Sequence, residues 1–269
     1  MSAPPEHAGR RPRAALDFLP DGAAALVIGA SRGIGLAITE QLLGCRRIGC
    51  VIGICRSPES ASGLQRAAAG DQRLTIERAD VTEESSLREA AERIGQVTGR
   101  LELVVNCAGV LHEGGGMWPE RQLSDIDPAA LTRAFEVNAR GPLLVFKTFE
   151  QLLKRSSGAR VATLSARVGS IGDNRLGGWY AYRASKAALN QFVRTTAIQW
   201  ARLPRPILCV ALHPGTVRTD LSAPFAGDSY RGTVFDPALA ADQLLAVLGG
   251  LTPDDSGGFF AWDGQPIPW

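Results

Sequence analysis

Seven short apolar runs, separated by helix-length stretches, constrain this chain more than any other feature of its sequence. Ala24–Ile28, Gly49–Cys55, Leu101–Asn106, Arg160–Leu164, Ile207–Leu212 and Gly258–Trp262 are apolar and partly β-branched, and Leu74–Arg78 is a weaker seventh. Runs of this kind read as strands buried on both faces. Between them, Ile34–Leu43, Glu84–Gln96, Pro128–Leu153, Tyr180–Arg202 and Pro237–Gly249 carry apolar residues at three-to-four spacing, which predicts helices. Asp127-Pro128 and Asp236-Pro237 are helix starts, an N-cap acid followed by proline in the first turn. The alternation predicts an α/β fold, a doubly wound, parallel, seven-stranded sheet with helices on both faces. It runs without a break, so residues 22–269 read as a single domain. Val110–Ile126 and Arg218–Phe235 read as long loops, and loops of that length are commonly functional or mobile.

Composition removes several classes. The 269 residues carry 29 Lys plus Arg against 27 Asp plus Glu, a net charge of +2, with 45% apolar content. Low net charge with ordinary apolar content argues against disorder. No basic excess exists to displace counterions, so no nucleic-acid partner is expected. No run approaches the roughly 18 apolar residues of a membrane span, so no membrane partner is expected either. Met1 to Asp21 holds four prolines and three arginines and no apolar core of a secretory signal, while Glu6 and Asp17 argue against an organellar transit segment. It reads as a flexible, solvated tail, residues 1–21. The five cysteines form no Cys-x-x-Cys pair and sit beside apolar residues, which predicts free core thiols in a reducing, cytoplasmic compartment. Three mutually distant histidines predict no metal site.

Gly29-Ala30-Ser31-Arg32-Gly33-Ile34-Gly35 follows the first strand and opens the first helix. A glycine-rich turn there lets the backbone approach a pyrophosphate, with the helix N-terminus facing the negative charge. The spacing is G-x-x-x-G-x-G rather than the G-x-G-x-x-G of the general dinucleotide fingerprint. About 20 residues on, at the end of the second strand, an acid would bind ribose hydroxyls and select NAD. Cys55-Arg56 stands there instead. A guanidinium matches a 2′-phosphate by paired hydrogen bonds, so Arg56 predicts NADP(H), with Arg32 a second cation for the same phosphate. Asp80-Val81 follows the third strand. Asp80 reads equally as an acceptor for the adenine amino group or as a capping acid for the next helix.

Tyr182 and Lys186 stand four apart in a helical stretch and share a face. A free tyrosine, with a pKa of about 10, is a poor acid–base group near neutrality. A fixed ammonium favours the phenolate and lowers that value by about 1–3 units. Such a tyrosine gives a proton to a carbonyl oxygen or takes one from an alcohol.

With these residues in hand, the chain resembles the short-chain dehydrogenase/reductase family. The resemblance is carried by the glycine turn, Asp80-Val81, Asn106-Cys107-Ala108-Gly109, Asn138, Tyr182-x-x-x-Lys186 and Pro214-Gly215, in the family's order and over roughly residues 22–262. The stretch 179–190 and the ending 263–269 are similar to a narrower branch, the sniffer-type carbonyl reductases and bacterial C-factor proteins. The resemblance implies a Rossmann-type domain acting as an oxidoreductase on a small-molecule carbonyl (aldehyde, ketone or quinone) or on the corresponding alcohol. It implies Tyr182 as general acid, Lys186 on the nicotinamide ribose, and Asn138 holding a water that links Lys186 to solvent. Gly29, Ser31, Arg32, Gly33, Ile34 and Gly35 would bind the pyrophosphate side. Arg56, Asp80, Val81, Asn106, Ala108 and Gly109 would follow the adenosine, while Pro214, Gly215, Val217 and Thr219 would flank the nicotinamide and pyrophosphate. It also implies a homodimer or homotetramer, paired through the helices at 128–153 and 180–202.

One departure stands out. The family places a catalytic serine three residues before a glycine at the end of the fifth strand, where this chain has Ala166. Ser165, one residue early, is expected to point to the other face of the strand. The hydroxyl comes from Ser170, from Ser165 after a local bulge, or from no serine. His213 reads as a strand-end residue packed under the cofactor loop. Trp118, Trp179, Phe225, Tyr230 and Phe235 read equally as substrate-pocket lining or as loop anchors and subunit contacts. The alternative to an enzyme is a C-factor-like signalling or cofactor-sensing protein with weak chemistry, which Ala166 favours and the Asn138, Tyr182, Lys186 set opposes.

Overall fold

A computed structural model describes residues 16–114, 116–227 and 230–269. The strands are β1 (Ala23–Ile28), β2 (Ile48–Cys55), β3 (Leu74–Arg78), β4 (Leu103–Asn106), β5 (Arg160–Leu164), β6 (Leu208–His213), β7 (Thr216–Val217), β8 (Val234–Phe235) and β9 (Phe259–Ala261). The helices are α1 (Gly33–Gly44), α2 (Ser62–Gly70), α3 (Glu84–Val97), α4 (Pro128–Phe135), α5 (Gly141–Lys154), α6 (Tyr180–Trp200) and α7 (Pro237–Gly250). The main sheet has seven strands in the order β3-β2-β1-β4-β5-β6-β9, all pairs parallel. This is the expected doubly wound sheet, and the seven strand positions fall on the seven apolar runs.

Alternation along each strand divides the core in two. Ala24, Leu26 and Ile28 of β1 join one buried cluster and Ala23, Ala25 and Val27 the other. Successive side chains leave a strand on opposite faces, so a strand covered on both sides must be apolar throughout. Each fully buried Leu, Ile or Val contributes roughly 1.5–3 kcal/mol of transfer free energy. The order reverses between β1 and β4, and the crevice beyond their carboxyl ends is the usual ligand position in such sheets.

The structure corrects four expectations. The tail does not reach residue 21: Leu16 and Leu19 are buried in the core, and Phe18 lies under the Arg160 guanidinium at 3.9 Å. Residues 1–15 lie outside the described residues. The single helix expected over Pro128–Leu153 is two helices joined by a π-helical turn, Glu136–Arg140. Helix α2 was not expected, because Leu64 is its one buried residue and leaves no apolar period to read. The Arg218–Phe235 loop is pinned by a second, two-stranded parallel sheet, β7 with β8. Of the two Asp-Pro starts, Asp127 caps α4 through Ala129 N–H at 2.9 Å. Asp236 makes no side-chain cap and pairs with Arg218 at 3.2 Å instead.

Candidate active site

The glycine turn emerges from β1 at the crevice. Gly29 has φ +78°, and a Cβ there would lie 2.9 Å from Ala108 N; at Gly35 it would lie 2.1 Å from Gly29 O. Backbone therefore meets backbone where residues 29–35 and 106–109 cross, and neither position admits a side chain. Helix α1 begins there with no side-chain cap and no acid in its first turn. Its first amides are open to an anion from outside the chain. Thr219 leans over this turn, its Cγ2 3.1 Å from the Cβ position of Gly33. Ser31 and Ile34 are half-buried in the turn.

The two candidate phosphate cations are separately engaged. Arg32 lies 3.3 Å from Asp220, and Arg56 lies 3.9 Å from Glu113. Exposed pairs of this kind contribute little and are easily exchanged. Glu113 is held mainly by Arg133 at 3.0 and 3.2 Å, which keeps its carboxyl below the usual range. Arg56 is thus a mostly exposed guanidinium just beyond β2. Asp80 closes a local turn: its Oδ1 accepts Thr82 N–H and Oγ1–H, both at 2.8 Å, and α3 begins after Glu83 with no side-chain cap. Val81 is buried. Asn106 is fully buried, donating to Thr163 at 3.2 Å and accepting Ala108 N–H at 3.1 Å, which shapes the crossing loop.

Lys186 and Asn138 meet at Gly109, with Tyr182 one helical turn before Lys186. The π-helical turn brings the Asn138 side chain inward, where Oδ1 accepts Val110 N–H at 2.8 Å and Nδ2 donates to Val110 O at 2.8 Å and Ser185 Oγ at 3.1 Å. A Cβ on Gly109 would lie 3.4 Å from both Asn138 Oδ1 and Lys186 Nζ. Lys186 Nζ donates to Leu164 O at 2.9 Å and lies 5.7 Å from the Tyr182 ring centre. Pro214 and Gly215 follow β6, where Gly215 lies against Phe235 and Trp262, and Val217 is buried in β7.

The electrostatics run against one expectation. Burial pushes the Tyr182 phenol up from its ordinary value rather than down. The ammonium faces the Leu164 carbonyl, so in this chain desolvation outweighs its attraction for a phenolate. Burial also brings Lys186 down to about 8 and pushes the neighbouring Cys107 thiol up to about 12. This has a consequence for stability. Below about pH 8 both folded and unfolded chains protonate Lys186, and the full burial cost is present. Between that value and the ordinary lysine pKa of about 10.4 only the unfolded chain holds the proton, so stability rises with pH. Relative to Lys186→Met, the wild-type chain is expected to gain on the order of a few kcal/mol across this window, read by denaturant unfolding of both proteins. A pH-independent difference between them would contradict the assignment.

Neither serine is bonded to Tyr182. Ser165 does not turn away from the helix that carries Tyr182: its Oγ donates to Asn190 Oδ1 at 2.7 Å, on α6 itself but eight residues beyond Tyr182. Ser170 is buried and accepts Asp173 N–H at 3.1 Å. His213 packs at the end of β6, and burial brings it down to about 4, so it is neutral at neutral pH. All five cysteines are free. Among the described residues no group of His, Cys, Asp and Glu is arranged to hold a metal, and no helix is long and apolar enough to cross a membrane.

The aromatic residues divide. Trp179, Trp118 and Phe225 form one cluster with His112, at ring separations of 5.0 to 5.8 Å, and Trp179 stands edge-on to Tyr182 at 6.2 Å. Phe235 packs on Trp262 instead, and the Tyr230 hydroxyl pairs with Thr216 at 2.6 Å. Sequence reasoning missed His112 and the buried Glu120, whose partners are far away in the chain. A cavity of about 10 Å³ lies beside Tyr182, bounded by Trp118, Glu120 and Ala181.

Comparison with known proteins agrees with this geometry. The chain is 39% identical over 176 residues to the C-signal protein of Myxococcus xanthus, spanning 64% of this chain and 95% of that one. It superposes on the NADPH-bound carbonyl reductase from chicken fatty liver with a TM-score of 0.83 at 30% identity, covering 93% of this chain and 95% of that one. On the carbonyl reductase Sniffer of D. melanogaster the TM-score is 0.82 at 27% identity, covering 93% and 100%. The short chain dehydrogenase model matches residues 23–228, from the first buried strand through the glycine turn and the Tyr182–Lys186 helix, and the chain belongs to that family of oxidoreductases.

Proposed function

We propose that the chain is an NADP(H)-dependent reductase of aldehydes, ketones or quinones, which also runs the reverse alcohol oxidation. The observation that carries this is the meeting of Lys186 and Asn138 at Gly109, with Tyr182 one helical turn before Lys186, close in sequence to the point where the Gly29 backbone packs on Ala108. The bound nicotinamide would supply a hydride equivalent. Gly29 to Gly35 and the open amides of α1 would hold the pyrophosphate, with Thr219 above them. Arg56 would meet the 2′-phosphate, and Arg32 would join it on leaving Asp220. Lys186 would turn from Leu164 O to the ribose, and Val217 would reach the carboxamide. Tyr182 would protonate the substrate oxygen. The NADPH bound to the chicken carbonyl reductase supports the choice of nucleotide. An apolar hollow of about 440 Å³ lined by Leu131, Phe135 and Phe192, on α4 and α6, supports pairing of two copies through these helices.

The similarity to C-signal and the Ala166 departure favour a second reading, a signalling protein with weak chemistry. A spectrophotometric assay of NADPH consumption against aldehydes, diketones, quinones and 3-oxoacyl thioesters separates the two. Tyr182-dependent turnover of one carbonyl class is the expected result. NADPH binding without turnover across the whole panel would overturn the reductase reading in favour of the second.

A further inference from the structure

Helix α6 carries the proposed acid and begins without a cap of its own. Its N-cap residue is Trp179, which has no side-chain oxygen, and no acid lies in its first turn. The cap comes from 61 residues away. Glu120 Oε2 accepts Ala181 N–H at 3.3 Å, and Glu120 O accepts Trp179 N–H at 2.5 Å. A local Asp or Ser at the N-cap normally serves the second or third amide of the helix. Here a carboxylate from the 110–126 loop does so. Glu120 is only 3% exposed, and an acid buried to that degree needs such a partner. Tyr182 lies in the same first turn, one residue beyond the amide that Glu120 accepts.

Trp179 adds an independent observation. Its φ of +52° makes it the one non-glycine in the left-handed region among the described residues. A bulky side chain resists that conformation, and it persists where surrounding bonds over-determine it. The two Glu120 bonds flank the residue on its own amide and on the amide two residues ahead. The product of this strain is an indole set edge-on to Tyr182 at 75° and packed against Phe225 at 5.0 Å, with Trp118 completing the row. Trp118 keeps half of its surface exposed.

Resting on the reductase reading, we propose that Glu120 is a positioning residue. It caps α6 across the chain, fixes Tyr182, and holds Trp179 where the indole forms an aromatic wall selecting flat, aryl-bearing carbonyl substrates over small alkyl ones. Its carboxylate touches neither substrate nor nucleotide.

The test uses the full chain and three variants. Glu120→Leu keeps bulk and removes the acceptor, Glu120→Gln keeps an oxygen acceptor, and Trp179→Gly removes both the ring and the backbone strain. Hydrogen exchange of the amides over residues 180–184 is expected to quicken in Glu120→Leu and to return towards wild type in Glu120→Gln. The kcat with either benzaldehyde or butanal is expected to fall about 10–100-fold in Glu120→Leu, with NADPH affinity kept and Gln restoring most of the loss. In Trp179→Gly the ratio of kcat/KM for benzaldehyde to that for butanal is expected to drop about tenfold. Unchanged amide exchange in Glu120→Leu overturns the cap, as does a loss that Gln does not restore. If Glu120→Leu does not fold, Glu120→Gln must still match wild type in exchange and kcat, and failure there overturns the cap equally. An unchanged substrate ratio in Trp179→Gly overturns the aromatic wall. If the wild-type chain reduces neither aldehyde, the reductase reading and its substrate preference fail, while the exchange comparison still decides the cap.

Discussion

Tyr182→Phe is expected to lower carbonyl turnover by roughly 10²–10⁴-fold while NADPH affinity stays near wild type. The substitution deletes a single hydroxyl. The ring remains beside Lys186 and edge-on to Trp179, so the first turn of α6 keeps its packing. A loss of that size therefore reports the proton and not the scaffold. Burial that pushes the phenol up also sets the direction of the pH dependence. At neutral pH Tyr182 is in its acid form, which carbonyl reduction requires. Alcohol oxidation requires the deprotonated form, so oxidation is expected to grow as pH rises, while reduction is expected to run already at neutrality. Steady-state rates in both directions, with nucleotide binding followed by fluorescence, check this. Turnover retained in Tyr182→Phe would mean that another group gives the proton.

Arg56→Asp is expected to weaken NADPH binding about 100-fold and to change NADH binding far less. Charge-assisted, paired hydrogen bonds from a guanidinium are what a 2′-phosphate offers and a 2′-hydroxyl does not. Arg56 is free to make them. Its own contact to Glu113 is long, and Glu113 keeps Arg133 as its main partner when Arg56 is removed. The fold should tolerate the change, since the side chain is mostly exposed beyond β2. Parallel titrations of NADPH and NADH on wild type and variant give the answer. Equal losses for the two nucleotides would remove the 2′-phosphate assignment.

Much of the architecture was legible in the sequence because a strand buried on both faces must be apolar at every position. β3 and β5 fall where their apolar runs do, and the other main-sheet strands differ by a residue or two. The glycine turn was legible for a related reason, since backbone that must touch backbone leaves room for no other residue type. The pairing of Tyr182 with Lys186 follows from helical spacing, whereas Ser165 faces α6 through Asn190, which strand alternation counted from the Ala166 position did not anticipate. Helix α2, with Leu64 alone buried, gave no period to read. Leu16, Phe18 and Leu19 are the first large apolar residues after a Pro- and Arg-rich stretch, but nothing local to them shows what they dock against. Their burial depends on Arg160 and Arg47, which arrive from elsewhere in the chain.

The sequence by itself determined the sheet, the glycine turn and the placing of Tyr182 and Lys186 on one helix face, since each is written in local spacing or local residue size. Tertiary structure alone decided the state of that pair. The direction of the Tyr182 shift depends on how far burial outweighs an ammonium that faces the Leu164 carbonyl, and no spacing rule contains that balance. It also decided which aromatic residues meet, since Trp118, Trp179 and Phe225 come from three separate loops. The cap of α6 belongs with these. A carboxylate and an amide 61 residues apart become partners only when folding has removed both from water, where each left unpaired would be costly.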